Sequence, residues 1–207
     1  MRVLLQHPNY HSGGAEIAGN WPPAWAAYVS GAIKGALPGG VEVRFVDAMT
    51  DHIDDGPLEA LLRAGPAPDV VMCTAITPAI YKAQETLALV RRVFPHALTV
   101  LGGIHGTFMY QQVLAEAPWI DAIVRGEGEV IVANLVRAVA DGTWQRARRD
   151  IRGLAFLDEG QVVATPAEPP IQDLDALTPD WAILDWAKYV YIPLNCRVAV
   201  PNFARGC

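Results

Sequence analysis

The chain has 207 residues, a net charge of −6 at pH 7, 52% hydrophobic residues and 18% charged residues. That is enough apolar material for a full core and argues against disorder, while nothing in the acidic balance (pI ≈ 5.3) favours nucleic acid or an anionic membrane as partner. No apolar run approaches the length of a bilayer span and Met1-Arg2 leads directly into a strand-like run, so the reading is a cytoplasmic protein with no signal peptide and no transmembrane segment.

Residues 2–7, "RVLLQH", form a short apolar run that reads as a buried strand. "PPAWAAYVSGAIKGAL" (22–37) spaces Trp25, Tyr28, Val29, Ile33 and Leu37 for a helix, with prolines at its start where a missing N–H costs little. "VEVRFVD" (41–47) predicts a second strand and "PLEALLRAG" (57–65) a helix ending at glycine. A third strand at 69–74 precedes a helix at 78–94. Strand, helix, strand, helix then follow at 98–103, 107–117, 121–126 and 129–142. These five strands, too continuously apolar for one-sided burial, predict a doubly wound five-stranded parallel sheet of flavodoxin-like or Rossmann-like type.

The pattern changes after about residue 143. "GLAFLDEGQVVATP" (153–166) reads as a hairpin turning at Glu159-Gly160, and 167–181 is a proline-rich, acidic connector. The remaining stretch is β-rich and broken by prolines. The expected division is a main domain at 1–145, a hairpin and connector at 146–200, and an entry into further structure at 201–207. Cys73, Cys196 and Cys207 are odd in number and lack CxxC spacing, which argues against structural disulfides.

In a doubly wound sheet ligands bind beyond the carboxyl ends of the strands, so the loops there carry the chemistry. The first loop, "HPNYHSGGAEIAGNW" (7–21), is too long and loose for a dinucleotide-binding glycine turn. After the third strand, Thr74 and Thr77 either cap the next helix or face a ligand. After the fourth, Gly102 and Gly103 permit close backbone approach and His105 stands at the mouth. After the fifth, Gly126 precedes Glu127, and Glu129 lies in the first turn of the next helix. Each loop alone is an ordinary turn; together they form a candidate ligand edge. Of the tryptophans at 21, 25, 119, 144, 181 and 186, Trp21 is the candidate for stacking on a flat ligand, and packing accounts for the others.

Residues 98–129, a strand, then GG-x-H-x-T, a helix and D-x-I-V-x-G-E-G-E, resemble the signature of the cobalamin-binding domain in cobalamin-dependent radical S-adenosylmethionine enzymes. "HPN" with "PPAW" resembles that family's opening, and "NFARGC" the run-in to its CxxxCxxC motif. The resemblance implies cobalamin as cofactor, with Gly102, Gly103 and Gly126 allowing its close approach. Thr74, Thr77 and Thr107 would bond its tail or corrin amides, beside His105 and Glu127. "NYHSGG" sets Asn9, His11 and Gly14 at the spacing of the DxHxxG motif of other cobalamin enzymes, so His11 is either a cobalt ligand or a chance match. Cys207 would be the first ligand of a 4Fe-4S cluster whose partners lie outside this sequence, and S-adenosyl-L-methionine the co-substrate of the full-length enzyme. The long first loop resembles that of members acting on a magnesium porphyrin. Other readings are a methyltransferase module of the same family and a non-catalytic flavodoxin-like binding domain.

Overall fold

Strand β1 (Arg2–His7) has residues 3–6 buried without a polar face, the mark of a central parallel strand. The computed structural model describes residues 1–10, 20–202 and 204–205. It sets β1 beside β2 (Glu42–Asp47) on one side and β3 (Val70–Thr74) on the other, followed by β4 (Leu98–Gly102) and β5 (Ala122–Val124), all parallel. The five parallel strands agree with the sequence reading, but the sheet itself has seven. A hairpin of β6 (Leu154–Asp158) and β7 (Gln161–Ala164) pairs antiparallel to β5, giving the order β2-β1-β3-β4-β5-β6-β7. The reason is legible in β6: Leu154, Ala155 and Phe156 are all fully buried, and only a strand covered on both faces satisfies that. What remains of the expected β-rich extension is a small sheet of β8 (Val190–Tyr191) and β9 (Cys196–Arg197).

Alternation along the strands divides the core. Val3, Leu5, Val70, Met72, Val100 and Val124 meet helices α1 (Ala24–Ala36) and α5 (Gly128–Ala140). Leu4, Val71, Leu101 and Ile123 meet α2 (Asp55–Ala64), α3 (Ile80–Val93) and α4 (Ile104–Glu116) on the other face. A short α6 (Trp144–Ala147) joins the first layer through the buried Trp144. Helix α4 starts three residues earlier than its apolar spacing predicts, because Gly103 turns the chain at φ +94° and the helix follows at once. Among the described residues no helix is long and apolar enough to cross a membrane.

From the hairpin the chain returns as a strap across the α1/α5 face to the opposite edge of the sheet. It crosses α1 at Gly31, where a Cβ would lie 1.9 Å from the Thr178 carbonyl oxygen. Asp180 clamps the crossing: its N–H donates to the Ala27 carbonyl at 2.8 Å. Its carboxylate accepts from Ser30 Oγ and pairs with Lys34, both at 2.6 Å. Further on, Trp181 packs edge-on to Tyr28, and the buried Tyr189 donates its hydroxyl to Asp47 at the end of β2 (3.0 Å). Lys188 pairs with Asp51 nearby. Replacing Gly31 with alanine is expected to lower stability by about 2 kcal/mol through overpacking and to red-shift tryptophan emission as the strap lifts. Gly35, one turn on with open space around it, is the control: its alanine variant should melt at or above the parent temperature.

Candidate cofactor cleft

The carboxyl ends of the parallel strands open onto a cleft of about 320 Å³ between the sheet and helices α1 and α5. Its interior is aliphatic: Val29 from α1, Met72, Val100 and Val124 from the strands, and Val132 from α5. Toward solvent the lining changes to Thr74, Gly102, Gly126 and Glu127. Cys73 also lines it, with its thiol pushed up to about 12 by burial, against a smaller lowering by a Thr74 backbone hydrogen bond, so it stays a neutral thiol.

The two glycines after β4 do different work. A Cβ on Gly103 would lie 2.5 Å from the Ala75 carbonyl oxygen and 2.7 Å from Thr74 Oγ1, so this residue is glycine because the β3 and β4 loops touch. At Gly102 the nearest atom would be the Cys73 carbonyl oxygen at 3.9 Å, and Gly126 has open space around it. Those two leave room for a ligand. Thr107 braces the rim from behind: its hydroxyl donates to the Gly103 carbonyl and accepts from the Gly126 N–H, each at 3.0 Å. Glu127 accepts the Ile171 N–H at 2.6 Å, tying the strap to the start of α5.

Thr77 and His105 do not line the cleft; they face each other at 3.2 Å from neighbouring loops. Asn9 points toward the β2 side, donating to the Ile53 carbonyl and to Asp54 (3.2 and 3.0 Å). His11, Gly14 and Cys207 lie outside the described residues. Trp21 is half exposed and rests against the Tyr191 ring, 5.6 Å between centroids.

Several lining residues were not among the sequence candidates. Glu129, read from the sequence only as a helix-dipole partner, is buried and pairs with Arg205 at 2.6 Å. The Arg205 guanidinium sits over the Tyr28 ring, and the Asn202 N–H donates to the Tyr28 hydroxyl at 3.2 Å. The tail thus forms one wall of the cleft, a contact across about 75 residues that no local pattern signals. Trp25, on the inner side, donates its indole N–H to Nδ1 of His7 at 3.1 Å. Burial holds the His7 pKa below its ordinary value, against a smaller opposing pull from Asp47, and the neutral ring is what lets Nδ1 accept.

A glycine-edged opening above an aliphatic interior fits a large cofactor with an apolar tail end and an amide-rich head. The B12 binding domain family matches residues 10–136, more than half of the chain, and the chain belongs to that family. It is 62% identical over its whole length to an anaerobic magnesium-protoporphyrin IX monomethyl ester cyclase of Rubrivivax gelatinosus, covering 37% of that protein. It is 56% identical over its whole length to the enzyme of the same name from Cereibacter sphaeroides, covering 33%. The chain therefore spans about a third of the length of these curated relatives. Among solved structures, the radical S-adenosylmethionine methyltransferase TsrM of Kitasatospora setae, with cobalamin and a [4Fe-4S] cluster bound, superposes with a TM-score of 0.63. The identity is 25%, over 86% of this chain and 31% of that one.

Two outcomes follow from this geometry. Because the folded-state pKa of His7 lies below the ordinary 6.5, its stabilising contribution is complete above that value and is lost as pH falls from it through the lowered folded-state value. Thermal melts between about pH 8 and 5 should show this slope, and His7→Asn, which keeps an acceptor for Trp25, should flatten it. Gly103→Ala should destabilise the fold by about 2 kcal/mol or more, from a strained φ and a clash with Ala75, read by urea denaturation.

Proposed function

We propose that this chain is the cobalamin-holding part of an anaerobic magnesium-protoporphyrin IX monomethyl ester oxidative cyclase, the enzyme that forms the isocyclic ring in bacteriochlorophyll synthesis. The observation that carries the reading is 62% identity along the entire chain to a relative of that name, joined to a cleft whose lining suits the cofactor. In the parent enzyme Cys207 would be the first ligand of a 4Fe-4S cluster, with S-adenosyl-L-methionine as radical source and the magnesium porphyrin as substrate.

Cobalamin supplies a redox-active cobalt within a corrin ring when bound. The work of this chain is to seat it. The aliphatic walls formed by Met72, Val100, Val124 and Val132 take the nucleotide tail and keep water from it. Gly102 and Gly126 let backbone come close to the bulk of the cofactor, and Thr74 lines the same opening beside Gly103. The Glu129–Arg205 pair holds the tail wall in place. Asn9, His11, Gly14, Thr77 and His105 remain candidates for the corrin side of the same edge.

A cobalamin-dependent methyltransferase is the second reading, favoured by the likeness to TsrM. The full-length enzyme separates the two: given the porphyrin monomethyl ester, ring closure supports the cyclase and a methylated product overturns it. For the chain itself, titration with hydroxocobalamin should give saturable absorbance changes at micromolar concentration, against the prediction of a non-catalytic flavodoxin-like domain. Gly102→Leu fits the backbone but fills the opening, so it should melt like the parent and bind at least about tenfold more weakly.

A further inference from the structure

The interior of the cleft carries information about which tail it accepts. Met72, Val100, Val124 and Val132 are each nearly inaccessible to solvent, and with Val29 they enclose the deep end on the strand and helix sides. None has a hydrogen-bonding group. The polar groups that line the cleft gather elsewhere. Thr74 and Glu127 stand at the strand ends, and Glu129, Asn202, Arg205 and the Tyr28 hydroxyl, which accepts the Asn202 N–H, at the tail wall, where Glu129 and Arg205 are taken by each other. Trp25 directs its N–H outward to His7 and so offers the cleft only its ring. Cys73 spends its weak S–H on the Thr74 carbonyl.

We infer that this cleft selects cobamides by their lower base, taking benzimidazole-type and phenolic tails and discriminating against purine tails. The inference rests on the cobamide-binding reading and specifies the ligand of that same site. Adenine carries several ring nitrogens and an amino group that water satisfies in solution. Lodged among valine and methionine side chains they lose those partners without replacement, and buried polar groups left unpaired are costly. Dimethylbenzimidazole turns methyl groups to the same surroundings, and a phenolic ring brings no ring nitrogen at all. An aliphatic pocket discriminates by roughly 10- to 100-fold on such grounds.

The test is equilibrium binding of a cobamide panel to the chain, followed by absorbance: cobalamin, a cresol-tailed cobamide, an adenine-tailed cobamide, and cobinamide, which lacks the tail. Cobalamin and the cresol form should bind alike, the adenine form at least about tenfold more weakly, and cobinamide weakest. Equal binding of the adenine form overturns the selectivity while leaving cobamide binding intact. Cobinamide binding as tightly as cobalamin overturns the placement of the tail in the slot, and no binding of any member overturns the parent reading as well. Met72→Gln puts an amide among the aliphatic walls and should narrow the cobalamin-to-adenine ratio at least about threefold. An unchanged ratio in a folded variant counts against the aliphatic interior as its source, and the wild-type panel decides alone if that variant does not fold.

Discussion

Helix α1 and the strap meet backbone to backbone where Gly31 admits the Thr178 carbonyl into space a methyl group would fill. The rest of the α1/α5 side depends on that contact. It lets the Asp180 clamp form with Ser30 and Lys34, which sets Trp181 against Tyr28 and carries the chain on to Asp47 at the far edge. Without the crossing, a long segment with little secondary structure would have to find its path over an apolar helix face by side-chain packing alone. Tyr28 is the pivot, since its ring meets Trp181 of the strap and Arg205 of the tail and its hydroxyl accepts the Asn202 N–H.

The sheet and its helices were legible because each element announces itself locally. Runs such as "DVVMCT" and "LTVLGG" are apolar on both faces, and proline or glycine marks most helix ends. The hairpin was legible as a hairpin, but its place on the sheet depends on which edge it meets, a fact about β5 rather than about residues 153–166. The glycines of the cleft were visible and their separate tasks were not. Gly102 and Gly103 look identical in sequence, yet one is small because the protein touches it and the other because space is left beside it.

The misses at the site share one cause. Trp25, Tyr28, Glu129 and Arg205 enter the cleft through tertiary contacts between α1, α5 and the tail, and no motif spacing encodes a wall assembled from three distant segments. Thr77 and His105 sit on the edge that the sequence assigns them, but they are paired with each other beside the opening. Position along the strand ends is thus a good guide to the neighbourhood and a poor guide to orientation. The B12 binding domain match ends at residue 136, so the tail wall lies outside the part of the chain by which the family is recognised.

That wall has a consequence for how the site comes into being. A ribosome delivers the strands, α1 and α5 well before residues 202–205, and the sheet can pair and bury its apolar faces during that interval. The cleft at that moment is a trough open along one side, with Glu129 lacking its cation. Only when the strap has crossed α1 and the tail has come round does Arg205 arrive to close it. A cobamide arriving before that closure would meet a seat without its tail wall, and one arriving after it the finished seat.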